Sequence, residues 1–321
     1  MTAARDTAAI VIGRNEGSRL IACLDSLKGQ VARLIYVDSG SKDGSQDAAS
    51  ARGAEVIALD VTQPFTAARA RNAGLERLRA DATAPIYVQF VDGDCRVQPD
   101  WIKSARDFLE SHPKAAVACG RRREENPGAS PYNTLIDAEW DTSVGRVRSC
   151  GGDALMRMEA LDSVGGYNPD LIAGEEPELC VRLRAEGWDI WRLDAEMTLH
   201  DAAMMRFGQW WQRARRAGYS FAEGAALHGA APERHCVVPL RRIIFWGLFL
   251  PVLTAVGLIV TPWALLLLLA WPVQTLRLRR RGYSWLRSFF LTLTKLPEAQ
   301  GALTYWWRRL NHGRIRLIEY K

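Results

Sequence analysis

The 321-residue chain lacks the short signatures by which many nucleotide-binding proteins are recognised. No Gly-x-Gly-x-x-Gly follows its first apolar run, and no Gly-x-x-x-x-Gly-Lys-Ser/Thr occurs there. That argues against a dinucleotide fingerprint and against a P-loop. Its six cysteines, Cys23, Cys95, Cys119, Cys150, Cys180 and Cys236, form no Cys-x-x-Cys pair. The scatter fits reduced cytoplasmic thiols better than a disulfide framework or a zinc site. There is no internal repeat and no low-complexity tract. Met1 to Thr7 is a short polar lead with none of the charged-then-apolar pattern of a secretory signal. What the chain does have is 48% hydrophobic residues, ample for a core, and 42 basic against 36 acidic side chains, a net charge of +6. Its length allows one large domain plus an appendage.

One pattern recurs in the N-terminal region. Ala8–Ile12 is a short apolar run ending in Gly13-Arg14-Asn15-Glu16-Gly17. Leu34–Val37 ends in Asp38-Ser39-Gly40-Ser41, Glu55–Leu59 ends at Asp60, and Ile86–Val91 ends in Asp92-Gly93-Asp94. Between the first two runs Leu20, Cys23, Leu24 and Leu27 fall at helical spacing. Strands alternating with helices predict βαβ units and a mostly parallel sheet. Loops with glycine and carboxylate at the strand ends predict a nucleotide crevice there.

Asp92-Gly93-Asp94 is the most informative of these loops. Residues i and i+2 of a strand share a face, so both carboxylates are placed to enter one cleft. Such a pair suits a hard divalent cation whose shell substrate phosphates complete. An ordinary Asp-Gly-Asp turn is the alternative. Arg69 or Arg71 would help neutralise phosphates, unless both belong to a solvated helix face. Arg121-Arg122-Arg123 is either a solvated charge run or a phosphate contact. The stretch from Arg122 to Tyr132, with Asn126-Pro127-Gly128, is expected to be a loop.

Several stretches together resemble the family 2 glycosyltransferases of the GT-A fold. They are Val11–Glu16, Val37–Ser45, Asp92-Gly93-Asp94, Gly151–Arg157, Gly165-Gly166-Tyr167 and Gly174–Arg182, spread over about residues 8 to 205. The chain is most similar to the membrane-associated members that build bacterial exopolysaccharides, succinoglycan-type enzymes among them. The resemblance implies a Rossmann-like α/β sheet, a nucleotide-diphosphate sugar as donor, with a UDP-sugar favoured by family frequency, and Mg²⁺ or Mn²⁺ as cofactor. It implies donor contacts from Gly13, Asn15, Glu16, Asp38, Ser41, Arg71, Asp92, Gly93, Gly151 and Gly152, with Asp38 on the base. Asp94, Asp92 and His200 would hold the metal, and Glu176, with Glu175 beside it, would be the catalytic base. The family usually has Glu-Asp where this chain has Glu175-Glu176. Acidic residues with Pro177 are also ordinary helix-start chemistry, and His200 taken alone is as well explained as a structural histidine.

Composition changes after about residue 205. Ile243 to Trp271 is an uncharged apolar run broken by Pro251 and Pro262. As one helix it would be about 44 Å long, against about 30 Å for a bilayer core. Arg241-Arg242 precede it, and Arg277, Arg279, Arg280 and Arg281 follow it. Basic clusters at both ends favour a hairpin that enters the membrane and returns to the cytoplasmic side, with a tilted single span as the alternative. They would also bind anionic lipids, which accounts for the positive charge better than nucleic acid does. Trp285 to Leu310 is expected to be an amphipathic surface helix, or else a core helix packed on the catalytic domain. Gln209-Trp210-Trp211-Gln212-Arg213 partly resembles a Gln-x-x-Arg-Trp acceptor motif of membrane-bound relatives.

The expectation is therefore a catalytic domain over 1–205, an interfacial connector over 206–240 and a membrane-associated region over 241–321. The enzyme would be an inverting, metal-dependent glycosyltransferase at the inner membrane, with its catalytic domain facing the cytoplasm. Its acceptor would be a lipid-linked oligosaccharide or glycolipid, met through Trp140, Trp210, Trp211 and Arg213. Trp140 is equally placed to be a half-buried core residue. A nucleotidyltransferase using the same aspartates and a non-catalytic nucleotide-sugar sensor are the rival functions.

Overall fold

A computed structural model describes residues 4–81 and 84–311. Met1–Ala3 of the polar lead and residues 312–321 of the C-terminal region lie outside the described residues. From Ala4 onward the lead is strand. The chain divides into two compact units, Met1–Ala129 with Ile136–Ala203, and Ser130–Leu135 with Met204–Lys321.

The first unit is built on one nine-stranded sheet. Its strands are β1 (Ala4–Gly13), β2 (Val31–Asp38), β3 (Glu55–Ala58), β4 (Tyr87–Asp92), β5 (Cys95–Val97), β6 (Ala115–Glu124), β7 (Gly145–Val147), β8 (Ala154–Arg157) and β9 (Asp189–His200). They lie in the order β3-β2-β1-β4-β8-β6-β9-β5, with β7 on β9. The β1–β2, β2–β3, β1–β4 and β6–β9 pairs are parallel, and the rest are antiparallel. The sheet is thus mixed, parallel through its N-terminal half as the βαβ pattern requires. β1 is flanked by strands on both sides and buries Ala8, Ala9, Ile10 and Val11 completely, which is why it reads as an unbroken apolar run. Helix α1 (Ser18–Leu27) buries Leu20, Cys23, Leu24 and Leu27, the four residues at helical spacing. Further helices are α2 (Ser45–Ser50), α3 (Ala67–Arg79), α4 (Trp101–Ser111), α5 (Pro131–Trp140, which belongs to this unit from Ile136 on), α6 (Met158–Ser163) and α7 (Glu175–Ala185).

The expected loop from Arg122 to Tyr132 is shorter than the sequence suggests. β6 continues to Glu124, pairing Arg122 with Thr198 and Glu124 with His200 on β9, and α5 begins at Pro131. Charged residues persist in this strand because each has a partner. Arg121 meets Asp137, Arg122 meets Asp153 and Arg123 meets Glu196.

The second unit is helical. It contains α8 (Phe207–His228), α9 (Val237–Val260), a 3₁₀ segment (Pro262–Leu269), α10 (Ala270–Arg280), α11 (Trp285–Leu293) and α12 (Lys295–Leu310). Among the described residues α9 is the one helix long and apolar enough to cross a membrane. The apolar run breaks at Thr261, which is extended at φ −155° immediately before Pro262. A Cβ on Gly257 would lie 2.8 Å from that of Ala264, so the two arms touch next to the turn.

The region Trp285–Leu310, expected as one surface helix, is two helices separated at Thr294. α12 is a core helix of the helical unit, packed on α8. Its Pro297, Glu298, Ala299, Gly301, Ala302 and Tyr305 are buried. The packing requires glycine on both sides: a Cβ at Gly301 would fall 1.9 Å from the Arg215 carbonyl oxygen, and one at Gly218 would fall 1.9 Å from that of Glu298.

Candidate active site

The strand order reverses at β1, which has β2 on one side and β4 on the other. Ligands of open α/β sheets bind beside the carboxyl ends of strands at such a point. Ile12 and Asp92 are register partners there, and the Gly93 amide donates to the Ile12 carbonyl at 2.8 Å. A Cβ on Gly93 would lie 3.1 Å from that carbonyl, a tight contact that favours glycine there. The loops after β1 and β2 are tied together. The Asn15 amide donates to Ser41 Oγ at 2.8 Å, the Lys42 amide to Asn15 Oδ1 at 2.8 Å, and the Gly17 amide to Asp43 Oδ2 at 2.9 Å. Glu16 pairs with Arg19 at 2.6 Å.

Asp38 is fully buried. Its carboxylate accepts from Tyr36 Oη at 2.9 Å, the amides of Gly40 and Ser41 at 3.0 and 2.9 Å, and Gln46 Nε2 at 2.8 Å. Burial opposes its charge, but these donors prevail and hold the carboxyl below its ordinary range. The resemblance assigns Asp38 to the nucleotide base. In the structure its oxygens accept from donors of β2, the following loop and α2, so Asp38 also fixes the path of that loop.

The centre of the cluster is Arg71 of α3, 2% exposed. It lies 3.0 Å from Asp92 Oδ1, 2.9 Å from Glu175 Oε1 and 3.4 Å from Glu176 Oε1. The sequence pattern offered Arg69 or Arg71 and the resemblance named Arg71; two steps along a helix separate their faces. Arg69 turns outward and caps the carbonyls of Asp60, Gln63 and Pro64. Gly152 lies over the cluster: a Cβ there would fall 2.8 Å from Arg71, 3.0 Å from Asp92 and 3.0 Å from Glu176. Gly151 has open space around its Cβ position.

Asp153 was not recognised in the sequence as a member of this site, and Arg122, read there as a solvated charge or a phosphate contact, faces carboxylates. Arg122 donates to Asp92 Oδ2 at 3.0 Å and to Asp153 Oδ2 at 2.7 Å. Asp153, completely buried, also accepts from the Asp92 amide at 3.0 Å and from Thr198 Oγ1 at 2.8 Å. Asp153 stands inside the Gly151–Arg157 motif, which was its available signal. Burial would raise the Asp92 carboxyl, yet the Arg71 and Arg122 guanidiniums hold it well below the usual carboxylate range. Glu176 shifts the other way: burial and then the Glu175 carboxylate push it up to about 7, against the pull of Arg71.

Antiparallel pairing of β5 with β9 puts Cys95 opposite His200 and brings Asp94 to the same place. His200 Nε2 lies 3.3 Å from Asp94 Oδ1, and the Trp140 ring meets the imidazole edge-on at 4.8 Å. Trp140 also carries the Arg122 guanidinium 5.2 Å from its ring centroid. Ligand atoms of Asp94, Cys95 and His200 all fall within 4.8 Å of one another. The carboxylate suits Mn²⁺ or Mg²⁺, and the imidazole favours Mn²⁺ of the two. Burial raises the Cys95 thiol well above its ordinary value, so it stays a neutral neighbour. Among the described residues the buried His200 Nδ1 has no hydrogen-bond partner, and it lies 3.9 Å from Glu124. Asp94 with His200 therefore fits a divalent ion, whereas Asp92 already faces two guanidiniums.

The other predicted acceptor residues fall in the helical unit. Trp210 is buried with its ring 4.8 Å from that of Phe290, so it serves helix packing there. Trp211 Nε1 donates to Gln300 Oε1 at 2.9 Å. Arg213 is half-buried on the same helix.

The family model described as "Glycosyl transferase family 2" matches residues 8–162, the span that holds the crevice, Asp92-Gly93-Asp94, Arg122 and Asp153. Residues 8–162 are a family 2 glycosyltransferase domain. The chain is a glycosyltransferase. It is 26% identical to the succinoglycan biosynthesis protein ExoA of Rhizobium meliloti over 250 residues, covering 70% of this chain and 72% of that protein. In fold it is similar to the mannosyltransferase PcManGT from Pyrobaculum calidifontis, solved with GDP-Man and Mn²⁺ (TM-score 0.66, 18% identity, 95% of this chain and 88% of that one). Glucosyl-3-phosphoglycerate synthase from Mycobacterium tuberculosis, solved with Mn²⁺, UDP and glucosyl-3-phosphoglycerate, is also similar (TM-score 0.50, 19% identity, 70% of this chain and 81% of that one). The glycosyltransferase domain thus has the GT-A architecture, and its crevice occupies the place that the strand order alone selects.

Proposed function

We propose that the enzyme transfers a sugar, with inversion, from a nucleotide diphosphate to a lipid-linked acceptor in exopolysaccharide or glycolipid synthesis. UDP is the favoured nucleotide, and the favoured acceptor is a polyprenyl-diphosphate oligosaccharide, with a glycolipid headgroup second. The observation that carries the reading is the convergence of Asp92, Glu175 and Glu176 on one buried guanidinium, that of Arg71. It keeps metal-side and acceptor-side carboxylates close together while preventing their mutual repulsion from opening the site.

Asp94 and His200, with Asp92 next to them, would hold Mg²⁺ or Mn²⁺, which when bound supplies Lewis-acid charge for the departing diphosphate. The tied loops of Gly13, Asn15, Glu16, Asp38 and Ser41 shape the nucleotide pocket. Gly93 and Gly152 allow donor and backbone to approach, and Gly151 leaves room for sugar and acceptor. Glu176 takes the proton of the attacking hydroxyl. A carboxyl near 7 is suited to that task, because a general base works best when its pKa is close to the working pH. Trp140, edge-on to His200, offers an apolar face to a sugar ring.

The exopolysaccharide role is supported by the likeness to a succinoglycan biosynthesis protein. Attachment to the cytoplasmic face of the inner membrane is supported by the long apolar helix and the arginines flanking the apolar run. The deciding experiment offers UDP-, GDP- and dTDP-sugars with Mn²⁺ or Mg²⁺ and a total lipid extract to the protein in detergent. Release of nucleotide diphosphate from one donor, with label in the lipid fraction and both lost in Asp94→Ala and Glu176→Ala, is expected. Full turnover by Glu176→Ala would instead favour nucleotidyl transfer, and donor binding without turnover would favour a sensor.

A further inference from the structure

The helical unit contains a cavity of about 500 Å³ that the catalytic chemistry does not use. Its lining includes Arg242, Arg277, Arg281 and Lys295 together with Trp246 and Tyr283. Lys295 is matched by Glu298, 2.5 Å away. The three arginines make no ion pair among the described residues and are exposed. The cavity therefore presents three unmatched guanidiniums against aromatic and aliphatic walls, a combination suited to an anion carried on an apolar molecule.

Its position in the unit narrows the choice. Arg242 stands near the start of α9, whereas Arg277 and Arg281 stand at the end of α10 and just beyond it. Because all three line one cavity, the two ends of the long apolar run come together, and the turn at Thr261 lies far along the chain from both. Beyond the arginines the helices expose an apolar surface, with Ile259 85%, Val260 84% and Trp263 74% exposed. A boundary between such a surface and clustered arginines is where lipid phosphates lie.

We propose that this cavity is a discrete site for the phosphate or diphosphate of a lipid, held by Arg242, Arg277 and Arg281, with its hydrocarbon chain along the apolar helices. The inference deepens the proposed lipid-linked acceptor and rests on that reading. Binding of a long-chain polyprenyl phosphate to the full-length protein in detergent, followed by native mass spectrometry, tests it. Arg242→Ala/Arg277→Ala should bind about tenfold more weakly, while Arg241→Ala/Arg280→Ala, which removes equal charge outside the cavity, should stay within about twofold of the parent. Arg242→Lys/Arg277→Lys should retain most of the affinity, which separates lost charge from lost folding. Equal weakening in the two alanine pairs would overturn the site in favour of diffuse attraction. Competition by inorganic diphosphate or phosphatidylglycerol at the same concentration as the polyprenyl phosphate would also overturn it, in favour of a free-anion or bulk-lipid surface. Donor hydrolysis by the same preparations reports separately on the transferase reading, so failure of one is distinguishable from failure of the other.

Discussion

Arg71 and Asp92 meet at 3.0 Å, and the same guanidinium reaches Glu175 at 2.9 Å. Removing the arginine would leave carboxylates crowded in a poorly hydrated site. Arg71→Ala is expected to lower stability by about 3–5 kcal/mol, the usual consequence of stranding a buried charge. Arg71→Lys should recover part of this, because a single ammonium cannot span the carboxylates as the planar fork does. Chemical denaturation of the three proteins measures the effect. Equal stability in all three would show that the cluster is solvated and the arginine dispensable.

The Asp94–His200 contact at 3.3 Å predicts how metal binding divides among the residues. Titration of Mn²⁺ followed by electron paramagnetic resonance should show Asp94→Ala and His200→Ala weakened by about tenfold or more, the range in which metal sites respond to their supporting groups. Chelation should abolish transfer, and added Mn²⁺ should restore it. Unchanged affinity in His200→Ala would return that residue to a structural role beside Trp140.

The carboxyl of Glu176, up to about 7, predicts an acid limb in the pH–rate profile. The base must be ionised, so transfer should rise as pH increases through about 7 and be lost below it. Burial is the larger cause of the shift and the Glu175 charge the second. Glu175→Gln removes that like charge and should move the limb toward lower pH, as for one member of an interacting pair. A limb that stays in place would assign it to another group.

Gly152 offers a steric test of the same cluster. A methyl group there would fall within 3.0 Å of Arg71, Asp92 and Glu176 at once. Gly152→Ala should therefore depress kcat strongly, while Gly151→Ala, with open space at its Cβ position, should have a much smaller effect. Similar kinetics in the two variants would mean that the backbone moves away from the cluster in solution.

How much of this was legible in the sequence follows from the range of each interaction. Asp92 and Asp94 stand out because a strand signal and a carboxylate loop are adjacent in sequence. The choice of Arg71 over Arg69 depends on which face of α3 meets the sheet. Arg122 and Asp153 belong to the site through the pairing of β6, β8 and β4, a register no local pattern encodes. The four donors to Asp38 come from β2, the loop after it and α2, so their convergence depends on a path that only the fold defines. In the helical unit, of the two prolines that interrupt the apolar run, Pro262 follows the turn and Pro251 lies within α9. The packing of α12 on α8 depends on backbones meeting at Gly218 and Gly301, and two isolated glycines give little warning of that.

The exposed apolar surface near Thr261 supplies the last prediction. If the run enters the bilayer as a hairpin, Ile259 and Val260 lie near its deepest point, farthest along the chain from Arg242 and Arg277. An arginine placed deep in a bilayer costs about 2.5–3.5 kcal/mol on insertion scales, so Ile259→Arg/Val260→Arg should shift the protein from liposomes to solution. Both positions are almost fully exposed, so the substitution removes little packing, and soluble donor hydrolysis should be retained. Flotation with liposomes distinguishes the outcomes. Release would place the turn inside the hydrocarbon, whereas undiminished flotation would mean that the arginines hold the unit at the surface and the apolar run packs against protein.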